Sequence, residues 1–139
     1  MNTNLLTNID AIYKEISRMN YKTLEQCQSD YEKQINKIAQ TFEINQLEAI
    51  FLTAIIINNT EYKNCHLEDI ANQLNISKFE ILENLQSLFS LESKNLVSIN
   101  EPEEFAQEKR LINRVKYPID VLNKSFIITK AVENRLLNL

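Results

Sequence analysis

The chain has 139 residues, 44% of them apolar, a formal net charge of −4 and a pI near 5.1. That length and apolar share suit one domain with a real core, and the acidic balance excludes a chain-wide basic footprint for nucleic acid. Glycine is absent altogether, which excludes a phosphate-cradling P-loop, a dinucleotide-binding turn and a nucleophile elbow, since each needs glycine for positive φ or close backbone approach.

In chain order, Ile9, Ile12, Tyr13 and Ile16 recur at helical spacing and predict a first helix over 7–19. A longer helix is expected over 23–41, capped by Thr23, with Leu24, Cys27, Tyr31, Ile35, Ile38 and Phe42 on one side and charged residues on the other. A third begins near Asn45 and is apolar on most sides, with Leu47, Ile50, Phe51, Ala54, Ile55 and Ile57; it belongs at the centre of the core. With no glycine for left-handed turns, asparagine must serve, and the candidates are Asn20, Asn58 or Asn59, Asn75 and Asn95.

The most informative stretch is 67–88, LEDIANQLNISKFEILENLQSL. Leu67, Ile70, Ala71 and Leu74 form one helical stripe, with the small Ala71 where two helices must cross. Asn75 ends that helix, Ile76 plugs the turn, and Ser77 caps the next, with Glu80 three residues on to complete a capping box. Phe79, Ile81, Leu82, Leu85, Leu88 and Phe89 are the apolar positions of the second helix. This is a helix-turn-helix pattern.

Leu96, Val97 and Ile99 then predict a strand, and Val115 and Tyr117, alternating with Arg114 and Lys116, predict a second over 114–118, ended by Pro118. The two make a wing. Phe126, Ile127 and Ile128 precede a last helix that starts at Thr129 and carries Ala131, Val132, Leu136 and Leu137. The fold expected is mostly α: a winged helix-turn-helix domain over 44–139 with a two-stranded wing, preceded by an N-terminal helical extension over 1–43.

Charge divides these parts. From Glu61 to Asn95 three lysines face six carboxylates, so the helix-turn-helix carries −3. From Phe105 to Lys124 five cations face two carboxylates, a local +3. Phosphate contacts dominate DNA affinity, so a DNA-binding surface would rest on the wing residues Lys109, Arg110, Arg114 and Lys116. Ser77, Lys78 and Asn84 of the recognition helix would stand beside them, with Gln86 and Ser87 as further base readers. The acidic recognition helix argues instead for a protein partner, and the apolar side of the 23–42 helix offers a homodimer surface or packs back on its own core. Cys65-His66 is the only Cys/His pair and lacks the further ligands a zinc site needs; Glu101, Glu103 and Glu104 read as a solvated loop. No catalytic constellation, metal site or cofactor is expected. The most apolar run, 49–57, is short of the ~20 residues of a membrane span, and no secretory signal is apparent at the N-terminus. The expectation is a cytoplasmic, non-enzymatic binding module that contacts double-stranded DNA through the basic wing and the recognition helix, with a protein-protein or dimerisation module of the same fold as the alternative.

The run 42–49 (FEINQLEA), then 67–71 (LEDIA), then Leu85, Leu88 and Phe89, and finally Tyr117, Pro118 and Ile119 together resemble the helical and winged helix region that precedes the ATPase module in a group of bacterial AAA-type ATPases. The likeness spans roughly residues 23–139. It implies a module that docks on DNA or on another protein, such as a regulatory domain of an ATPase. It does not bring ATP hydrolysis with it, because this chain has no phosphate loop.

Overall fold

A computed structural model describes residues 3–16, 24–61, 65–100 and 124–137. Eight helices and a two-stranded antiparallel sheet lie within them. The helices are α1 (Thr3–Ile16), α2 (Leu24–Asp30), α3 (Glu32–Phe42), α4 (Gln46–Glu61), α5 (Leu67–Leu74), α6 (Lys78–Glu83), α7 (Leu85–Ser93) and α8 (Lys130–Leu137). The strands are β1 (Val97–Asn100) and β2 (Ser125–Ile128).

Helix α4 is the hub. Every residue from Glu48 to Asn58 is buried, and α1, α2, α3, α5, α7 and β2 all pack against it. The expected 23–41 helix is bent rather than continuous. Tyr31 leaves helical geometry at φ −117°, ψ 23°, yet Tyr31 N–H still donates to Cys27 O (3.1 Å) and Ile35 N–H to Tyr31 O (2.8 Å). Its apolar side, Leu24, Cys27, Tyr31, Ile35, Ile38, Ala39 and Phe42, is buried in the same cluster as α4. Packing within the chain therefore accounts for that stripe without a second copy. Helix α8 joins the same unit: Val132 and Leu136 are buried, and Arg135 Nη1 donates to Thr41 O at the end of α3 (3.0 Å).

Three helices end alike. Glu43, Asn75 and Asn95 have φ of 57°, 57° and 59°. In each case the next residue sends its N–H back five positions: Ile44 to Ala39 (2.9 Å), Ile76 to Ala71 (3.1 Å) and Leu96 to Leu91 (3.0 Å). This is the Schellman arrangement, and the apolar residue after the left-handed one packs on the helix it has just ended. Asn75 and Asn95 stand where expected. Asn58 and Asn59 do not take this role, because both lie inside α4. The third position is filled by Glu43, a residue with no side-chain preference for that conformation.

β1 pairs with β2; the strand expected over 114–118 lies outside the described residues. Val97 faces Ile128 and Ile99 faces Phe126 on the core side, while Ser98 and Ile127 point outward. β2 is also held along its far edge. Asn59 Nδ2 donates to Phe126 O (3.2 Å), Asn59 Oδ1 accepts from Ile128 N–H (2.8 Å), and Cys65 O accepts from Phe126 N–H (2.8 Å). The Asn59 side chain thus stands in for a third strand.

Left-handed geometry costs a non-glycine residue about 1–2 kcal/mol. Replacing Glu43 with Gly should therefore raise stability by about 1 kcal/mol, read as a higher urea midpoint with unchanged slope; a lower midpoint would count against this account of the turn.

Candidate functional site

The pair α5 and α6, with the turn between them, is positioned from α4. Asn58 Nδ2 donates to Ala54 O (3.2 Å) in its own helix and to Asp69 O (3.3 Å) in α5. Asp69 also caps α5, its Oδ2 accepting from His66 N–H (2.8 Å) with His66 Nδ1 3.5 Å away. Histidine is an uncommon N-cap, so this box was not legible in the chain. Ile76 is buried in the turn as expected. Ser77 caps α6 through the Phe79 N–H (3.1 Å), not through the Glu80 N–H that a capping box would use.

The second helix is broken. Asn84 sits at φ −120°, ψ 29° between α6 and α7, and its Nδ2 donates to Glu80 O (2.7 Å). Such a side-chain bond to the preceding turn competes with the helix ladder. The buried stripe consequently runs through Ile81 to Leu85, Leu88 and Leu91. Phe79, one of the apolar positions expected on the second helix, is two residues from Ile81 and so falls on nearly the opposite side of the helix. It is 65% exposed, the most exposed of the large apolar side chains described.

Of the residues expected to read DNA, Ser77 and Lys78 are exposed at the start of α6 beside Phe79. Asn84 is half-buried with its amide turned back onto α6. Lys109, Arg110, Arg114 and Lys116 lie outside the described residues. The structure therefore assembles a surface of Ser77, Lys78, Phe79 and the exposed Glu83 and Gln86 on α6 and the start of α7. The exposure of Phe79 is the feature that sequence reading missed, and its spacing of two residues from Ile81 was the signal that could have found it.

Behind this surface Glu48 ties α4 to α7. Its N–H donates to Asn45 Oδ1 (2.8 Å), and its Oε1 accepts from Asn45 N–H (3.0 Å). Lys94 Nζ reaches both carboxylate oxygens, at 2.9 and 3.0 Å. Glu48 is 1% exposed while the Lys94 side chain is 43% exposed. Burial pushes the Glu48 carboxyl up, but the Asn45 N–H, the Ser90 side chain and Lys94 together outweigh it and hold it below its ordinary value of 4.5. Cys65 moves the other way: burial, then the charge of Asp69, pushes its thiol from 9.0 up to about 12.

A cavity of about 260 Å³ lies between α1 and α4, lined by Leu6, Ile9, Asp10, Ile57, Thr60 and Glu61. Among the described residues no group of three or more His, Cys, Asp or Glu side chains is placed to hold a metal ion, and no helix is long and apolar enough to cross a membrane. Comparison with family models, with curated proteins and with solved structures gives no match.

Two outcomes follow from the shifted groups. Glu48→Gln should cost about 1–2 kcal/mol at pH 7, discounted for the solvent around Lys94. A carboxyl held low stabilises the fold above its unfolded value, so the gap in urea midpoint between wild type and variant should close as pH falls below 4.5; a gap unchanged with pH would overturn the assignment. The Cys65 thiol should resist a thiol-specific chromogenic reagent at pH 8 until the protein is unfolded, and its contribution to stability should be lost as pH rises from 9 towards 12.

Proposed function

We propose that this chain is a non-enzymatic, cytoplasmic winged helix module that docks a protein partner through the exposed side of α6. The winged helix reading is supported by element order. Helix α4 is followed by Cys65 on the edge of the sheet, then α5, the turn, α6 and α7, and then β1 and β2. Helices α1–α3 form the extension. Resemblance to the region preceding bacterial AAA-type ATPase modules agrees with a docking role, and an ATPase module is one partner that fits it.

The observation that carries the protein reading is Phe79. Exposed aromatic side chains are the commonest anchors of protein interfaces. This one stands on a helix-turn-helix of net charge −3, a poor surface for a polyanion. The second reading is DNA contact through Lys109, Arg110, Arg114 and Lys116 with Lys78 and Ser77, favoured by the +3 balance of 105–124.

The two separate by experiment. A photo-crosslinking phenylalanine analogue at position 79 should give a discrete protein adduct in cells, and the same analogue at the exposed Ser98 should not. Fluorescence anisotropy of a mixed-sequence duplex should show no binding at low salt. Binding that fades steeply with salt and is lost in an Arg110→Ala, Arg114→Ala, Lys116→Ala variant would overturn the protein reading in favour of DNA.

A further inference from the structure

Resting on the docking role of α6, we infer that this face is an arginine receptor: the Phe79 ring and the Glu83 carboxylate together take one guanidinium of the partner protein. The two residues are at i and i+4 of the same helix, which sets their Cβ atoms about 5–6 Å apart on one face. Both are exposed. Ile81, 0% exposed, anchors the opposite side of α6 to the core, so the ring cannot turn inward without unseating the helix. Glu83 makes no ion pair among the described residues, and Lys78 lies a quarter-turn or more away from the Phe79–Glu83 line.

A guanidinium suits this pair because it is planar. It can lie on the ring face while its edge donates a fork of N–H groups to the carboxylate. A lysine ammonium, a strongly hydrated point charge, can meet one of the two but does not stack. Exposed ring and carboxylate alone would accept many partners; the −3 balance of the sequence from 61 to 95, with Glu80 and Glu83 against Lys78 on α6 itself, favours a basic one and raises its rate of encounter. The occupant is therefore an arginine-bearing segment of the partner protein, rather than an apolar one.

The test is an NMR titration of the full chain, reading the Phe79 ring protons and the Glu83 amide. The probes are three blocked pentapeptides of alanine with arginine, lysine or citrulline at the centre. The arginine peptide should shift both signals saturably, the lysine peptide should bind about fivefold more weakly, and the uncharged citrulline peptide should give no saturable shift. Phe79→Leu and Glu83→Gln should each weaken arginine binding about fivefold while signals from α4 stay in place, which shows that the fold is kept. Equal response to arginine and lysine, or no Phe79 shift with arginine, overturns the receptor. If the position-79 adduct persists when the arginine peptide fails, the docking reading stands and only the arginine chemistry is lost; if the adduct is absent as well, the docking reading falls with it.

Discussion

From Glu48 to Asn58 helix α4 has no solvent-facing side, and the rest of the structure is arranged around that constraint. Buried backbone groups inside a helix are satisfied by the helix itself, but its ends and its few polar side chains are not. Thr53 bonds back to Ala49 O within α4, and three others reach another element. Glu48 closes the box with Asn45 and accepts Lys94 from just beyond α7. Asn58 reaches α5, and Asn59 reaches β2. The polar groups of the hub thus set where three neighbouring elements sit, while its apolar surface supplies the attraction.

A chain without glycine must end its helices differently. Glu43-Ile44-Asn45 and Asn75-Ile76-Ser77 are the same device: a left-handed residue, an isoleucine folded back on the helix just ended, and a cap for the next. The Asn95-Leu96 pair repeats the first half before β1. In each, the apolar residue offsets the strain of the left-handed one by burying surface on the helix it follows. The turn between α5 and α6 is therefore one instance of a solution used again elsewhere in the chain.

The surface proposed for docking depends on how α6 is mounted. Ile81 is buried, and Phe79, two residues before it, falls on nearly the opposite side of the helix and is turned out. Asn84 ends α6 by bonding back to Glu80. A six-residue helix has little stability of its own, so its orientation rests on the Ser77 cap, the plug of Ile76 and the burial of Ile81. A rigidly mounted aromatic ring loses little entropy when a partner covers it, which is the physical reason to place the interface there.

Features that depend on residues a few positions apart were legible in the chain. They include the apolar periodicity of α1, α4 and α5, the turn at Asn75-Ile76-Ser77, the left-handed Asn95 and the strand at Val97–Asn100. Helical spacing, caps and turn preferences act over a single turn and leave their mark in adjacent residues. Five features were settled only in three dimensions: the bend at Tyr31, the left-handed Glu43, the burial of Glu48 against Lys94, the pairing of β1 with β2, and the exposure of Phe79. For two of them the causes lie far apart in sequence. Lys94 is 46 positions from Glu48, and the far edge of β2 is held by Asn59, 67 positions from Phe126. Local pattern states what each segment can form; which partner satisfies its polar edge, and which apolar side chain is left outside, is decided by packing around α4.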